Sequence, residues 1–321
     1  MKKITLADIA KETGYSVNTV SHALRDMKDI SEGVKAYIND TAKKMGYIPN
    51  IAAGALRSGK TKHIALISND ITIPFFSHIA KETELLLRKK GYSLTIMNTL
   101  SDKELTHSAI LSAISKNVDG IILFSTPAEA DKALIAESSV PCVAPKPEDT
   151  LYSAENEGYL LGEHLTALGH RRILFLADSS VFSEGRESGI KKALDEVSGT
   201  LFTERENMQK ALNKNSDCSA VVCSSIAQSH YAYKIFVKDG KNIPDDISLA
   251  VFSLKEEESP FNITSAGVSA KVLAQKLLSG LPDLTGDGEI PSVTAILTEG
   301  ETTKEPSRRF TAKKALSDYL L

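Results

Sequence analysis

Apolar positions in the first fifty residues recur at helical spacing. Leu6, Ile9 and Ala10, then Val20 and Leu24, then Val34, Ile38, Ala42 and Met45 each form one narrow stripe. Polar residues punctuate them. Thr5 and Asp8 have the spacing of a capping box that starts a helix at Leu6, and Gly14 suits a left-handed stop. Ser16 is placed to cap the next helix and Ser31 the third, which Gly46 ends. The pattern predicts a small helix-turn-helix unit over residues 1–48. Val17, Asn18, Ser21, His22 and Arg25 are read as the outer face of its second helix. That set is small, polar and basic, and suits an element entering the DNA major groove.

From Lys62 the pattern changes. Short, continuous apolar runs at 63–68, 92–97, 120–125 and 141–144 alternate with amphipathic stretches at 75–90, 102–116 and 128–136. The alternation then restarts, with helices at 155–168, 184–197, 226–239 and 266–279 and strands at 173–177, 219–223 and 247–252. Apolar strands between amphipathic helices imply parallel sheets covered on both faces. Two successive runs predict two Rossmann-like lobes, with a ligand cleft beyond the carboxyl ends of the strands.

Composition sharpens the division. The net charge of −3 hides an asymmetry: residues 1–62 hold 11 Lys and Arg against 6 Asp and Glu, a surplus of +5, and the remainder carries −8. A basic head on an acidic body fits a chain that meets phosphates at one end. No apolar run is long enough to span a membrane, and the Met1-Lys2-Lys3 start is too quickly followed by charge to read as a secretory signal. Cys142, Cys218 and Cys223 have no metal spacing and read as thiols of a reducing, cytoplasmic setting. No phosphate-cradling loop, nucleophile elbow or His-Glu-x-x-His pair is found, so an enzyme is not expected and no cofactor is implied.

The start TLADIAKETGYSVNTVSHAL, the GYIPN segment and the ALRSGKT segment are joined at their family spacings, and together they resemble the LacI/GalR family of repressors. Weaker echoes follow in Pro74-Phe75-Phe76, in VDGIIL at 118–123, LGHRRI at 168–173 and IPDDIS at 243–248, so the resemblance covers roughly residues 4–280. It implies an N-terminal all-α helix-turn-helix DNA-binding domain (1–48), a hinge (49–61), and an α/β two-lobed periplasmic-binding-protein-like effector and dimerisation domain (62–321). On that plan lobe 1 takes about 62–153 and 290–298, and lobe 2 about 154–285.

The resemblance also implies residue roles. Val17, Asn18 and His22 would read bases, whereas Thr5, Ser16, Ser21 and Asn50 would contact phosphates. Where the family often has Arg, His22 offers one donor and one acceptor, so the operator half-site is expected to differ. Ala53 and Leu56 belong to a hinge too short to be a stable helix alone. Leu56 stands where the family wedges an apolar side chain into the minor groove.

In the cleft, Phe75, Arg186, Ser224, Ser225, Ser253 and Lys146 are the expected effector contacts. Arg186 with Gly189 fits the family's anchoring Arg, but Lys146, Ser224-Ser225 and Ser253 stand where acidic or amide residues are usual. Lost carboxylates and two cations suggest an anionic ligand such as a sugar phosphate or sugar acid. Lys146 pointing to solvent is the competing reading, and replacement of the small molecule by a protein cofactor a third. Taken together, these readings predict a homodimeric, cytoplasmic repressor of carbohydrate uptake or metabolism genes, binding a pseudo-palindromic operator and a small-molecule effector. A cytoplasmic sugar-binding receptor without gene control is the alternative. The tail at 308–321 can form one short amphipathic helix.

Overall fold

Thr5 closes a reciprocal cap at the head of the chain. Its N–H donates to Asp8 Oδ2 at 2.8 Å, and the Asp8 N–H donates to Thr5 Oγ1 at 3.3 Å. Helix α1 (Leu6–Thr13) therefore starts where the capping signal places it, and Gly14 at φ 74° ends it. Ser16 Oγ accepts from Thr19 N–H at 3.0 Å and opens α2 (Val17–Ala23). Ser31 is extended as the N-cap of α3 (Glu32–Lys44), but its hydroxyl makes no cap hydrogen bond. Ile9, Val20, Ala23, Ile38 and Ala42 form the core of these three helices. The buried Lys35 ammonium donates to Asp26 at 2.7 Å and Glu32 at 2.8 Å, tying the α2–α3 connection to α3.

The structure, a computed structural model, describes residues 4–49, 54, 59–125, 127–144, 153–178, 180, 182–205, 207–257, 262–284 and 292–307. It divides into two units, Met1–Thr61 and Lys62–Leu321. No helix among the described residues is long and apolar enough to cross a membrane, and no cluster there could hold a metal ion. The hinge residues Asn50, Ala53 and Leu56, together with Lys146 and the tail at 308–321, lie outside the described residues.

The larger unit holds two sheets. The first has the order β2-β1-β3-β4, all parallel, from β1 (His63–Ser68), β2 (Ser93–Asn98), β3 (Gly120–Leu123) and β4 (Cys142–Val143). Its helices are α4 (Pro74–Lys89), α5 (Lys103–Ser115) and α6 (Glu129–Ser138). Strand alternation divides β1 cleanly. Ile64 and Leu66 join one apolar cluster, and Ala65 and Ile67 pack with Ala109, Ile110 and Ala113 of α5 on the other face.

The second sheet has the order β10-β9-β8-β7-β5-β6. It comprises β5 (Arg172–Leu176), β6 (Thr200–Glu204), β7 (Ala220–Cys223), β8 (Ser248–Phe252), β9 (Thr264–Gly267) and β10 (Ile296–Thr298). Its helices are α7 (Ala154–Ala167), α8 (Ser183–Asp195), α9 (Met208–Lys214) and α10 (Ile226–Lys238). Ile173, Phe175 and Val222 face Leu161, Leu165 and Ile190 of α7 and α8, while Leu174, Val221 and Leu249 face Ile235 and Phe236 of α10. His170 is buried at 1% exposure. Its Nε2 lies 2.9 Å from the Lys304 carbonyl, its Nδ1 is 2.7 Å from Ser219 Oγ, and burial lowers its pKa to about 4.

Two expected lobe assignments are corrected. The predicted helix at 266–279 is strand β9 followed by α11 (Ala270–Ser279), whose Leu273, Leu277 and Leu278 belong to the apolar cluster of Ile64, Leu66 and Ile122. That helix completes lobe 1, because its apolar stripe joins Phe76, Ile79 and Leu87 of α4 in covering one face of the first sheet. Residues 296–298 do not return to lobe 1. They pair antiparallel with β9, Ile296 opposite Gly267 and Thr298 opposite Ser265.

Candidate nucleic-acid interface and ligand cleft

At about 100° per residue, Asn18, His22 and Arg25 fall together on the side of α2 opposite Val20. Asn18 is exposed, as is Val17 at 47%. Ser21 departs from the expectation. It flanks the buried Val20–Ala23 stripe and is itself buried at 6% exposure, so it does not belong to the outer face. Arg25 turns back to donate from Nε to the Ser21 carbonyl at 3.0 Å. The hydroxyls of Thr5 and Ser16 both accept cap bonds. His22 Nδ1 is 2.6 Å from Asp29 Oδ2, a partner that no motif pointed to. That hydrogen bond holds the Asp29 carboxyl below its ordinary value.

The second candidate is a cavity of about 350 Å³ between the lobes of the larger unit. Phe75, Arg186, Ser224, Ser225 and Ser253 all line it, though they come from four separate stretches of chain. Four phenylalanines (Phe75, Phe76, Phe182 and Phe252) supply apolar wall. Phe75 meets Phe182 across the cleft at 5.6 Å between centroids.

Close helix packing builds the Arg186 site. A Cβ on Gly158 would stand 2.1 Å from the Arg186 carbonyl oxygen, and one on Gly189 would stand 2.0 Å from that of Glu155. Only glycine lets α7 and α8 approach so closely, and the approach brings Glu157 to Arg186. Arg186 Nε donates to Glu157 Oε2 at 3.0 Å, with the two side chains 7% and 1% exposed. Nη1 reaches the Ser224 carbonyl at 3.4 Å, and the guanidinium lies 4.5 Å from the centre of the Phe252 ring. The serines are similarly engaged. Ser224 Oγ donates to the Leu176 carbonyl at 3.0 Å, and Ser225 Oγ caps α10 by accepting from Gln228 N–H at 3.3 Å.

The expected electrostatics are reversed among the described residues. Asp70, Asp178 and Glu257 line the cavity, and Arg186, the cation beside them, is already paired with Glu157. Carboxylates missing from the usual positions are thus supplied from others. Asp178 Oδ1 accepts from Ser183 Oγ at 2.6 Å and Ser180 N–H at 3.0 Å. Burial raises the Glu257 carboxyl above its ordinary value, against the opposing pull of Leu254 N–H and Arg186. Ser180 Oγ, also in the lining, is buried without a hydrogen-bond partner among the described residues.

Comparison with known proteins gives consistent matches along the chain. The family model "Bacterial regulatory proteins, lacI family" matches residues 5–50. "Periplasmic binding proteins and sugar binding domain of LacI family" matches 61–222, and "Periplasmic binding protein-like domain" matches 163–303. The chain is similar to the HTH-type transcriptional repressor PurR of Mannheimia succiniciproducens, 28% identical over 268 residues, which span 76% of this chain and 80% of that protein. It is also similar to the HTH-type transcriptional regulator DegA of Bacillus subtilis, 27% identical over 278 residues, with 78% and 81% covered. Among solved structures, the Lac repressor dimer bound to operator and the anti-inducer ONPF superposes with a TM-score of 0.81 at 22% identity, covering 94% of this chain and all of that one. A CelR–cellobiose complex superposes at 0.64 and 20% identity, with the same coverage.

Proposed function

Because this chain belongs to the LacI family of bacterial regulatory proteins, a family of DNA-binding transcriptional repressors, we propose that it represses carbohydrate uptake or metabolism genes under control of a small molecule held between its lobes. Val17, Asn18 and His22 read base edges in the major groove, while Thr5, Ser16 and the hinge residue Asn50 position the backbone. Two copies bind a pseudo-palindromic operator, since a single short reading helix carries too little specificity alone. Leu56 is the proposed minor-groove wedge.

The observation that carries the effector half of the reading is the cavity itself, with aromatic walls and three carboxylates. Carboxylates accept hydrogen bonds from hydroxyls, and phenylalanine faces cover the apolar face of a sugar ring. The effector is therefore an uncharged polyhydroxylated molecule rather than an anion. Phe75, Arg186 and Ser253 contact it, with Arg186 held in place by Glu157. A planar heterocycle is the second reading, favoured by the four phenylalanines. The ligand must bind one lobe arrangement better than another, or it switches nothing.

A thermal-shift screen with neutral sugars, sugar phosphates, sugar acids and nucleobases tests the effector, followed by a gel shift on the gene's own upstream DNA with each hit. A neutral sugar that stabilises the protein and changes operator binding is the expected result. Stabilisation by sugar phosphates or sugar acids alone would overturn the neutral-ligand reading, and a response to nucleobases alone would select the heterocycle.

A further inference from the structure

A histidine on a reading helix is ambiguous, because the neutral ring has one donor and one acceptor and either nitrogen can hold the proton. At His22 the ambiguity is removed from within the protein. Nδ1 lies 2.6 Å from Asp29 Oδ2. An ionised carboxylate can only accept, so Nδ1 must carry the hydrogen. The neutral ring then leaves a bare lone pair on Nε2. Accepting this hydrogen bond keeps Asp29 below the ordinary carboxylate range, with Arg25 a lesser contribution of the same sign.

The turn that delivers Asp29 is well anchored. Met27 N–H donates to the His22 carbonyl at 3.1 Å, and Ile30 packs on the core of the three helices. Lys35 holds Asp26 at 2.7 Å. The carboxylate is thus fixed relative to the ring by backbone on both sides.

We propose that Asp29 is a specificity-determining residue for DNA: by fixing the tautomer and orientation of His22, it makes His22 present an acceptor to the major groove. An acceptor pairs with the exocyclic amino group of adenine or cytosine, whereas an arginine in its place would pair with the O6 and N7 acceptors of guanine. The polarity of the contact is inverted by a residue that itself touches no base. This inference rests on the reading of His22 as a base reader.

The test selects binding sites from a randomised duplex library with the full-length protein, then measures binding to single-base variants of the selected site for wild type, His22→Ala, Asp29→Ala and the double variant carrying both substitutions. Thermal unfolding confirms that each variant is folded. Asp29→Ala should relax preference for an amino-bearing base by about tenfold at the one base pair that His22→Ala also relaxes. The double variant should be no worse than His22→Ala. Nitrogen-15 imidazole shifts should report the Nδ1–H tautomer in wild type and its loss in Asp29→Ala. A uniform change across all sequences would reduce Asp29 to a charge near phosphates and overturn the proposal, as would an Nε2–H tautomer in wild type. If His22→Ala relaxes one position and Asp29→Ala none, base reading stands and the proposal alone falls. If His22→Ala relaxes no position, base reading fails and the proposal falls with it.

Discussion

The outer face of α2 and the floor of the interlobe cleft both gather polar side chains, but they hold them in opposite ways. Asn18 stands exposed, and His22 keeps one ring nitrogen clear of its Asp29 partner. Arg186 is enclosed, paired with a buried carboxylate and stacked on Phe252 before any ligand arrives. A surface that reads DNA must bring hydrogen-bonding capacity not already used within the fold. A cleft enclosed by two lobes has to satisfy its charges in the empty state, since a desolvated, unpaired cation is costly. The same residue type therefore means different things in the two places. On α2 Asn18 keeps its polar group exposed, whereas in the cleft Arg186 is first a structural element.

That contrast can be broken most sharply at Arg186. Replacing it with Ala removes the cation beside the buried Glu157, and a loss of about 3–5 kcal/mol in urea unfolding is expected. An unchanged midpoint would mean that the pair is dispensable and that Arg186 serves the ligand alone. Next in size is a pH effect confined to the larger unit. His170 has a folded pKa of about 4 against an ordinary value of 6.5. Its contribution is fully present above pH 6.5 and is lost as pH falls from there through 4, amounting to about 3 kcal/mol. Urea unfolding across this range should show that fall in wild type and a flatter profile in His170→Gln.

The proposed reading face should behave in the reverse manner. Asn18→Ala should cost about 1–3 kcal/mol of binding to the selected operator, relax one base position and leave thermal stability nearly unchanged. Equal weakening on random DNA would remove Asn18 from the readers. The smallest effect is expected at Thr5. Its Ala variant should lose about 1 kcal/mol of stability in the smaller unit through the missing cap, measured by hydrogen exchange of α1 amides. A larger loss on DNA than in stability would restore a phosphate contact to Thr5.

What could be read in advance follows the range of the interactions. Thr5, Gly14 and Ser16 announce helix ends four residues or fewer from the groups they bond, and those ends are found where expected. The apolar runs of β1, β3, β5, β7 and β8 are central strands covered on both faces, so their composition betrays them. Strand β6 is an edge strand and half-exposed, so its pattern is weak. β9 carries no large apolar residue and β10 is a three-residue edge strand, so neither stands out in the sequence. The cleft was legible as a set of positions but not as an electrostatic environment. Glu157 lies 29 residues before Arg186, and only the close packing at Gly158 and Gly189 brings the two together. Ser21 was misplaced for a simpler reason: on a seven-residue helix, burial is decided by what packs around it rather than by its own spacing.

The route of the chain through the lobes has a consequence for synthesis on the ribosome. The three-helix head has its whole core within residues 4–47, so it can fold as soon as it emerges. Neither lobe has that freedom. The first sheet is made by residue 143, yet the leucines in and just after α11 that complete its cover arrive only at 273–281. The second sheet is likewise open at its β9 edge until 296–298 are made. For more than a hundred residues of elongation the first sheet waits with one apolar face only partly covered, by α4, and the two lobes close almost together at the end. Nascent chains arrested before α11 should therefore be the ones that recruit chaperones, with a folded and protease-resistant head already at their front.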